Sequence, residues 1–230
     1  MNNSVANTAR LLGAGLRALL VLTLVTGVIY PLAVTGIAQG LFPHQANGSE
    51  IKADGEVVGS SLIGQSYNLP PKEGEGRGEE KGEENPEPDL RWFQGRPQNG
   101  LGTNSVNTRY ELILSGATNR SGDNEELIRW VKDAKTAVAE DNSTPGHTVE
   151  PSDVPADAVT SSGSGLDPDI SPEYANLQVH RIAERNGLPV TEVRSLVDEH
   201  TEGRTLGFMG EPRVNVLKLN IALRNLLDQS

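Results

Sequence analysis

The sequence predicts an α+β protein, with one N-terminal transmembrane helix followed by a single soluble domain of short strands and about three C-terminal helices. Three observations predict it. No residue from Ala18 to Ala38 is charged. Short β-prone runs punctuated by glycine follow that stretch. The last third of the chain repeats apolar residues at helical spacing behind recognisable caps.

The uncharged run, ALLVLTLVTGVIYPLAVTGIA, is long enough to cross a hydrocarbon core of about 30 Å. A cleaved signal peptide is the alternative reading, with Gly36-Ile37-Ala38 as a passable cleavage site. The run exceeds a signal h-region of about 7–15 residues, which favours a retained anchor placed at 18–41. Arg10 and Arg17 precede it, and no Lys or Arg follows until Lys52. The positive-inside rule then puts residues 1–17 in the cytoplasm and 42–230 outside as an extracytoplasmic domain in one cell-membrane orientation. Gly36 and Gly40 form a G-x-x-x-G pair, the candidate helix-docking residues. Tyr30-Pro31 should kink or loosen the helix, since Pro31 cannot donate to the carbonyl four residues back. With no ionisable group in the span, the chain forms no ion pathway by itself.

Outside the span, residues 52–67 read as a hairpin turning at Asp54-Gly55, with Val57-Val58 and Leu62-Ile63 as β-prone runs. Residues 70–90 are rich in Glu, Gly and Pro, almost without apolar side chains, and read as an acidic disordered insertion. Trp92 and Phe93 should dock in the core, ahead of a polar, Asn-rich loop from Arg96. Asp123 or Asn124 caps a helix with Leu127, Trp130, Val131, Ala134 and Val138 on one face. Pro155–Val159 reads as a short buried strand. Ser171-Pro172-Glu173 starts a second helix, with Ala175, Val179, Ile182 and Ala183 inward and Gln178, Arg181 and Arg185 on another face. Gly187 ends it. Thr191–His200 forms a third helix, 201–212 a Gly-rich loop, and Val214–Leu227 a final helix.

Composition excludes several functions. The net charge is −11, which disfavours nucleic acid as a partner. There is no Cys, so disulfides, thiol nucleophiles and Cys-ligated metals are out. Neither a P-loop nor the Asp-Lys-Thr-Gly-Thr phosphorylation motif occurs, and the four His lie at no metal-ligand spacing. Catalytic and metal sites are therefore both read as none. A serine hydrolase needs G-x-S-x-G, and Ser164 sits between glycines at the wrong spacing. Asp167 and Asp169 read as turn and cap chemistry ahead of Ser171, with an acid/base or cation pair as the weaker reading.

At residues 157–223 the pattern becomes specific. DAVTSSGSGLDPDISPEYANLQVHRIAERNGL, followed by HTEGRTLGFMGEPRVNVLKLNIAL, resembles the C subunit of the bacterial and archaeal potassium-transporting Kdp ATPase. RALLVLTLVTGVIYPLAVTGIAQGLFP, SSLIGQSY and WFQGRP are similar to the family's other blocks. Two departures stand out. The family's Arg-Pro-Ser-Ala reads Arg96-Pro97-Gln98-Asn99, and its Ser-Asn-Leu-Gly reads Ala117-Thr118-Asn119-Arg120.

The resemblance implies a non-catalytic, single-span subunit of an ATP-driven, high-affinity potassium uptake complex. Its implied partners are a K⁺-channel-like subunit and a P-type ATPase subunit, with membrane lipid around the span. It further implies a role in assembly and as a catalytic chaperone that raises the ATPase subunit's affinity for ATP. No cofactor-binding motif is present, so ATP is expected only in complex with the ATPase subunit. By resemblance the nucleotide-related residues are Ser162, Gly163, Ser164, Gly165, Asp167 and Gln178. A membrane-anchored extracytoplasmic hydrolase or binding module is the alternative. The hydrolase would show a nucleophile–base constellation, which the sequence lacks.

Overall fold

The computed structural model describes residues 2–69, 88–97 and 121–229. They form two compact units, Met1–Glu50 and Ile51–Ser230. The first is helical: α1 (Asn2–Leu24), a π-helical turn (Val25–Ile29), α2 (Tyr30–Leu41) and a short α3 (Pro43–Ala46). Ser4–Leu41 is long and apolar enough to cross a membrane, and none of its most apolar window is buried. The loosening expected at Pro31 takes the form of the π turn, where the Tyr30 N–H bonds to the Val25 carbonyl, five residues back. Proline lacks the N–H that would continue the α ladder, and its ring crowds the preceding turn, so the ladder slips by one residue.

The second unit is mixed α+β. Its hairpin pairs β1 (Glu50–Ala53) with β2 (Glu56–Ser60), and the turn residues Asp54 and Gly55 both have positive φ, 53° and 85°. That combination matches the right-handed twist of a two-residue hairpin. Leu62-Ile63 is not a strand. The Leu62 N–H bonds to the Ser60 hydroxyl at 3.1 Å and the Ile63 N–H to the Ser60 carbonyl at 3.4 Å. Local turn bonds have taken the place of a ladder.

Three short antiparallel strands make the other sheet, in the order β3 (Asp169–Ile170), β5 (Arg213–Asn215), β4 (Thr201–Glu202). Ile170 pairs with Val214, and Val214 with Thr201 on the other side. Four helices of eight or more residues accompany it: α4 (Glu125–Asn142), α5 (Pro172–Asn186), α6 (Val190–Glu199) and α7 (Val216–Leu227). Each start has a sequence cause. Side-chain oxygens of Asn124, Ser171 and Asn215 accept from the N–H three residues on and cap α4, α5 and α7. Gly187 stops α5 with φ 67°, a left-handed conformation that glycine adopts without strain. Ala175, Val179, Ile182 and Ala183 are buried as their spacing requires, against Phe93, Val193, Val197, Val214 and Leu219.

Several expectations are corrected. Pro155–Val159 is not a strand; Ala156–Ala158 forms a 3₁₀ turn. Val154, Ala158 and Val159 are buried as expected, but a short apolar run does not by itself distinguish strand from turn. Trp130 is exposed, because the buried residues of α4, Ala139 and Asn142, lie in its C-terminal half. The insertion read over 70–90 ends sooner. Pro88 bridges Asn68, and the buried Asp89 donates its N–H to the Tyr67 carbonyl at 2.9 Å. Residues 70–87 lie outside the described residues, as do Gln98, Asn99 and Ala117–Arg120.

Candidate functional site

Two polar constellations dominate the second unit. The first surrounds the segment 88–97, which turns at Asp89–Trp92 and belongs to no sheet. A backbone buried without ladder partners must find others. Here amide side chains supply them. Asn220 takes both polar groups of Phe93: its Oδ1 accepts from Phe93 N–H and its Nδ2 donates to Phe93 O, each at 2.9 Å. Gln178 does the same for Gln94, accepting from the N–H at 2.7 Å and donating to the carbonyl at 3.1 Å. Each amide closes the two-bond ring that a neighbouring strand residue would close. The Gln94 side chain in turn donates to the carbonyls of Tyr67 (3.0 Å) and Asp89 (2.9 Å).

Arg181 completes this knot. Its guanidinium donates to Asn142 Oδ1 at 2.8 Å, Gln178 Oε1 at 2.6 Å, Trp92 O at 3.1 Å, and Leu90 O. Only 2% of the residue is exposed, and no carboxylate among the described residues forms an ion pair with it. Burial pushes its pKa down to about 10, so it stays charged at neutral pH. Gln178 and Arg181, placed by the helical wheel on a different face from the apolar stripe together with Arg185, are core residues; Arg185 alone of the three is exposed. The wheel shows that they lie off the apolar stripe but cannot show that another segment packs over them.

The second constellation is the turn Ser162–Asp169. Its glycines and hydroxyls satisfy one another. Gly165 N–H bonds to Ser162 O at 3.2 Å, Leu166 N–H to Ser164 Oγ at 3.1 Å, and Asp167 N–H to Ser162 Oγ at 3.4 Å. Gly165 has φ 70°. Asp167 Oδ1 accepts from Asp169 N–H at 3.0 Å, while Oδ2 pairs with Arg96 at 3.3 Å. Asp169 accepts from Asn215 and pairs with Arg213 at 3.1 Å. Burial nevertheless holds its carboxyl above the usual range, against the lowering by Asn215 and Arg213. The turn reading fits Asp167; the Asp169 carboxylate instead serves Asn215 and Arg213 from strand β3 and makes no turn or cap bond among the described residues. Asp157, which sequence reasoning passed over, fixes the start of α5 by accepting from Ser171 N–H at 2.7 Å and Ser171 Oγ at 3.0 Å. No spacing rule links an Asp to a cap residue across an intervening loop.

The structure thus divides the sequence-predicted residues. Ser162, Gly163, Ser164, Gly165 and Asp167 share one turn, with Gly163 and Ser164 exposed. Gln178 is fully buried, and its amide is bonded to Gln94 and Arg181. Two surface hollows, one lined by Asp141, Ser143, Thr144, Arg181, Glu184 and Arg185, the other centred on Glu192 and Leu196, include none of the turn residues. Neither Ser162 nor Ser164 is hydrogen-bonded to a histidine or carboxylate among the described residues, so neither hydroxyl is paired with a base. His147 and His180 stack at 3.9 Å, and among the described residues no group of three potential metal ligands forms. In the first unit, a side chain added at Gly36 or Gly40 would meet nothing within 4 Å, so both stand on open helix surface.

These features define a class: a helix long and apolar enough to span a bilayer, followed by an α+β domain whose polar residues knit its own backbone. The comparisons narrow it. The model of the family "KdpC: K+-transporting ATPase, c chain" matches residues 12–225. The chain is 78% identical over 230 residues to a Streptomyces avermitilis protein named potassium-transporting ATPase KdpC subunit, with both chains covered completely. It is 46% identical over 208 residues to the Caldanaerobacter subterraneus protein of that name, covering 89% of each. For the Mycobacterium tuberculosis protein the identity is 39% over 211 residues, covering 92% of this chain and 96% of the other. The chain belongs to the KdpC family, the c chains of K⁺-transporting ATPases.

Proposed function

We propose that this chain is the non-catalytic subunit of an ATP-driven, high-affinity potassium uptake complex. It assembles with a K⁺-channel-like subunit and a P-type ATPase subunit, and it raises the ATPase subunit's affinity for ATP. Full-length identity of 78% to a potassium-transporting ATPase KdpC subunit carries this reading. The single helix Ser4–Leu41 supports a one-span anchor. Arg10 and Arg17, with no later basic residue before Lys52, favour a cytoplasmic N-terminus and a domain outside. The open surface at Gly36 and Gly40 offers a groove for a partner helix.

Sidedness decides the mechanism. ATP is inside the cell. With the domain outside, Ser162–Asp167 does not touch the nucleotide, and Gln178 is a positioning residue of the 88–97 segment. The subunit then acts on the ATPase site through coupling between states of the complex, a binding free energy shared by two distant sites. The test uses the absence of native cysteine. A single Ser164→Cys variant is expressed in the complete complex, and intact cells are treated with a membrane-impermeant maleimide. Labelling of intact cells is expected. Labelling only after lysis would reverse the topology and return Ser162–Asp167 to direct nucleotide contact.

A further inference from the structure

The block His200–Leu223 divides in two. Its second half builds the core: Val214, Val216, Leu217, Leu219 and Leu223 are all buried. Its first half does the opposite. Leu206, Phe208 and Met209, at the tip of the β4–β5 hairpin, are 79%, 70% and 50% exposed. Folding of this chain gives no reason for them.

The tip is nonetheless a built structure. Thr205 and Met209 exchange backbone bonds at 2.8 and 3.0 Å, Gly207 N–H reaches Arg204 O at 3.0 Å, and Phe208 N–H reaches Thr205 O at 3.3 Å. Arg204 pairs with Glu211 at 2.7 Å across the base. Leu206 holds φ 55°, a left-handed conformation unfavourable for leucine, and such positions persist only where the surroundings impose them. A turn held this firmly presents its side chains with little further ordering to lose on contact.

We infer that Leu206, Phe208 and Met209 form a docking finger that inserts into an apolar hollow on another protein subunit of the same potassium-transporting complex. The inference rests on the subunit reading above. Charge selects the occupant. Between Gly203 and Pro212 the only charged residues are Arg204 and Glu211, and they neutralise each other. A finger made for an anionic bilayer carries Lys or Arg in excess, and this one has none to spare. A second copy would bring its own −11 charge against this one. An apolar centre with a neutral, ion-paired rim is the anatomy of a protein–protein contact whose energy is concentrated in a few large side chains.

The test is photo-crosslinking in native membranes containing the whole complex. Benzoylphenylalanine replaces Phe208 and, in a control, Asp228 at the exposed end of α7. The expected result is an adduct between position 208 and another subunit of the complex, identified by mass spectrometry, with none at 228. A Leu206→Ser/Phe208→Ser double variant should recover roughly tenfold less of the partner subunits, the loss expected for one or two central contacts, while unfolding at the wild-type temperature. Adducts only to lipid or a second copy, or none while the wild-type complex still co-purifies, would overturn the finger alone. Failure of the wild-type chain to co-purify with any transport subunit would overturn the subunit reading and the finger with it.

Discussion

The turn at Ser162–Asp167 and the knot around Arg181 use similar polar chemistry to different ends. In the turn, hydroxyls, glycines and the Asp167 carboxylate bond mostly within a few residues of one another and stand partly in water, with Arg96 and Gly64 as distant partners of Asp167 and Leu166. In the knot, Gln178, Arg181 and Asn220 are buried and bond to backbone 84 to 127 residues away. A dense local motif draws attention in a sequence, yet here most of its bonds stay within it. The scattered residues are the ones that close the fold around Phe93. Where a polar group's partners sit in the chain says more about its structural weight than how conspicuous it is.

Mutations can break this contrast, and the largest effect should come from Arg181→Met. It leaves Leu90 O and Asn142 Oδ1 without the Arg181 donor, and Trp92 O with only a 3.4 Å bond from Gln94 Nε2. The expected loss is about 3 kcal/mol or more. Thermal unfolding of the detergent-solubilised chain should fall by about 6–12 °C. Gln178→Leu or Asn220→Leu should each cost about 2 kcal/mol by stranding both polar groups of one backbone residue, half-buried Gln94 or buried Phe93. The double variant should fall short of additive, because both hold one segment.

Asp89→Asn comes next and carries a pH signature. Hydrogen bonds from the Arg91 side chain, first, hold the Asp89 carboxyl below its usual range. Its stabilisation is therefore complete above the unfolded carboxylate pKa and disappears as acid protonates the folded form. The expected difference is about 1 kcal/mol at neutral pH, since the partner arginine is largely in water, and it shrinks away as the pH falls through the lowered carboxyl pKa of the folded form. Chemical denaturation of wild type and variant across that range would measure it. The smallest effect belongs to Ser162→Ala and Ser164→Ala, each within about 0.5–1 kcal/mol. A fall in the complex's apparent ATP affinity with no change in unfolding would give the turn a functional role. Unfolding losses as large as those at Gln178 would erase the contrast.

What the sequence made legible follows from how local each feature is. The caps at Asn124 and Ser171, the stop at Gly187 and the buried stripe of α5 depend on residues within one or two turns, and they stand where spacing put them. The loosening before Pro31 has the same character. Leu62-Ile63 and Pro155–Val159 did not become strands, because apolar content signals burial or β preference without naming a hydrogen-bond partner. Gln178, Arg181 and Asp157 were misread or missed for a related reason, since their partners lie in segments no periodicity connects to them. The glycines and hydroxyls of 162–165 were legible as a turn, and the extent of their mutual bonding was not foreseeable from composition.

The amide rings around Phe93 and Gln94 also set an order of events during synthesis. Asn220 lies 127 residues beyond Phe93. At bacterial elongation rates of about 5–20 residues per second, that interval is roughly 6–25 s. The N-terminal helix has long been made by then, while the 88–97 segment still lacks its partners. The Phe93 ring can close only after α7 emerges, so a chain truncated before Asn220 would leave both polar groups of that buried residue without these partners.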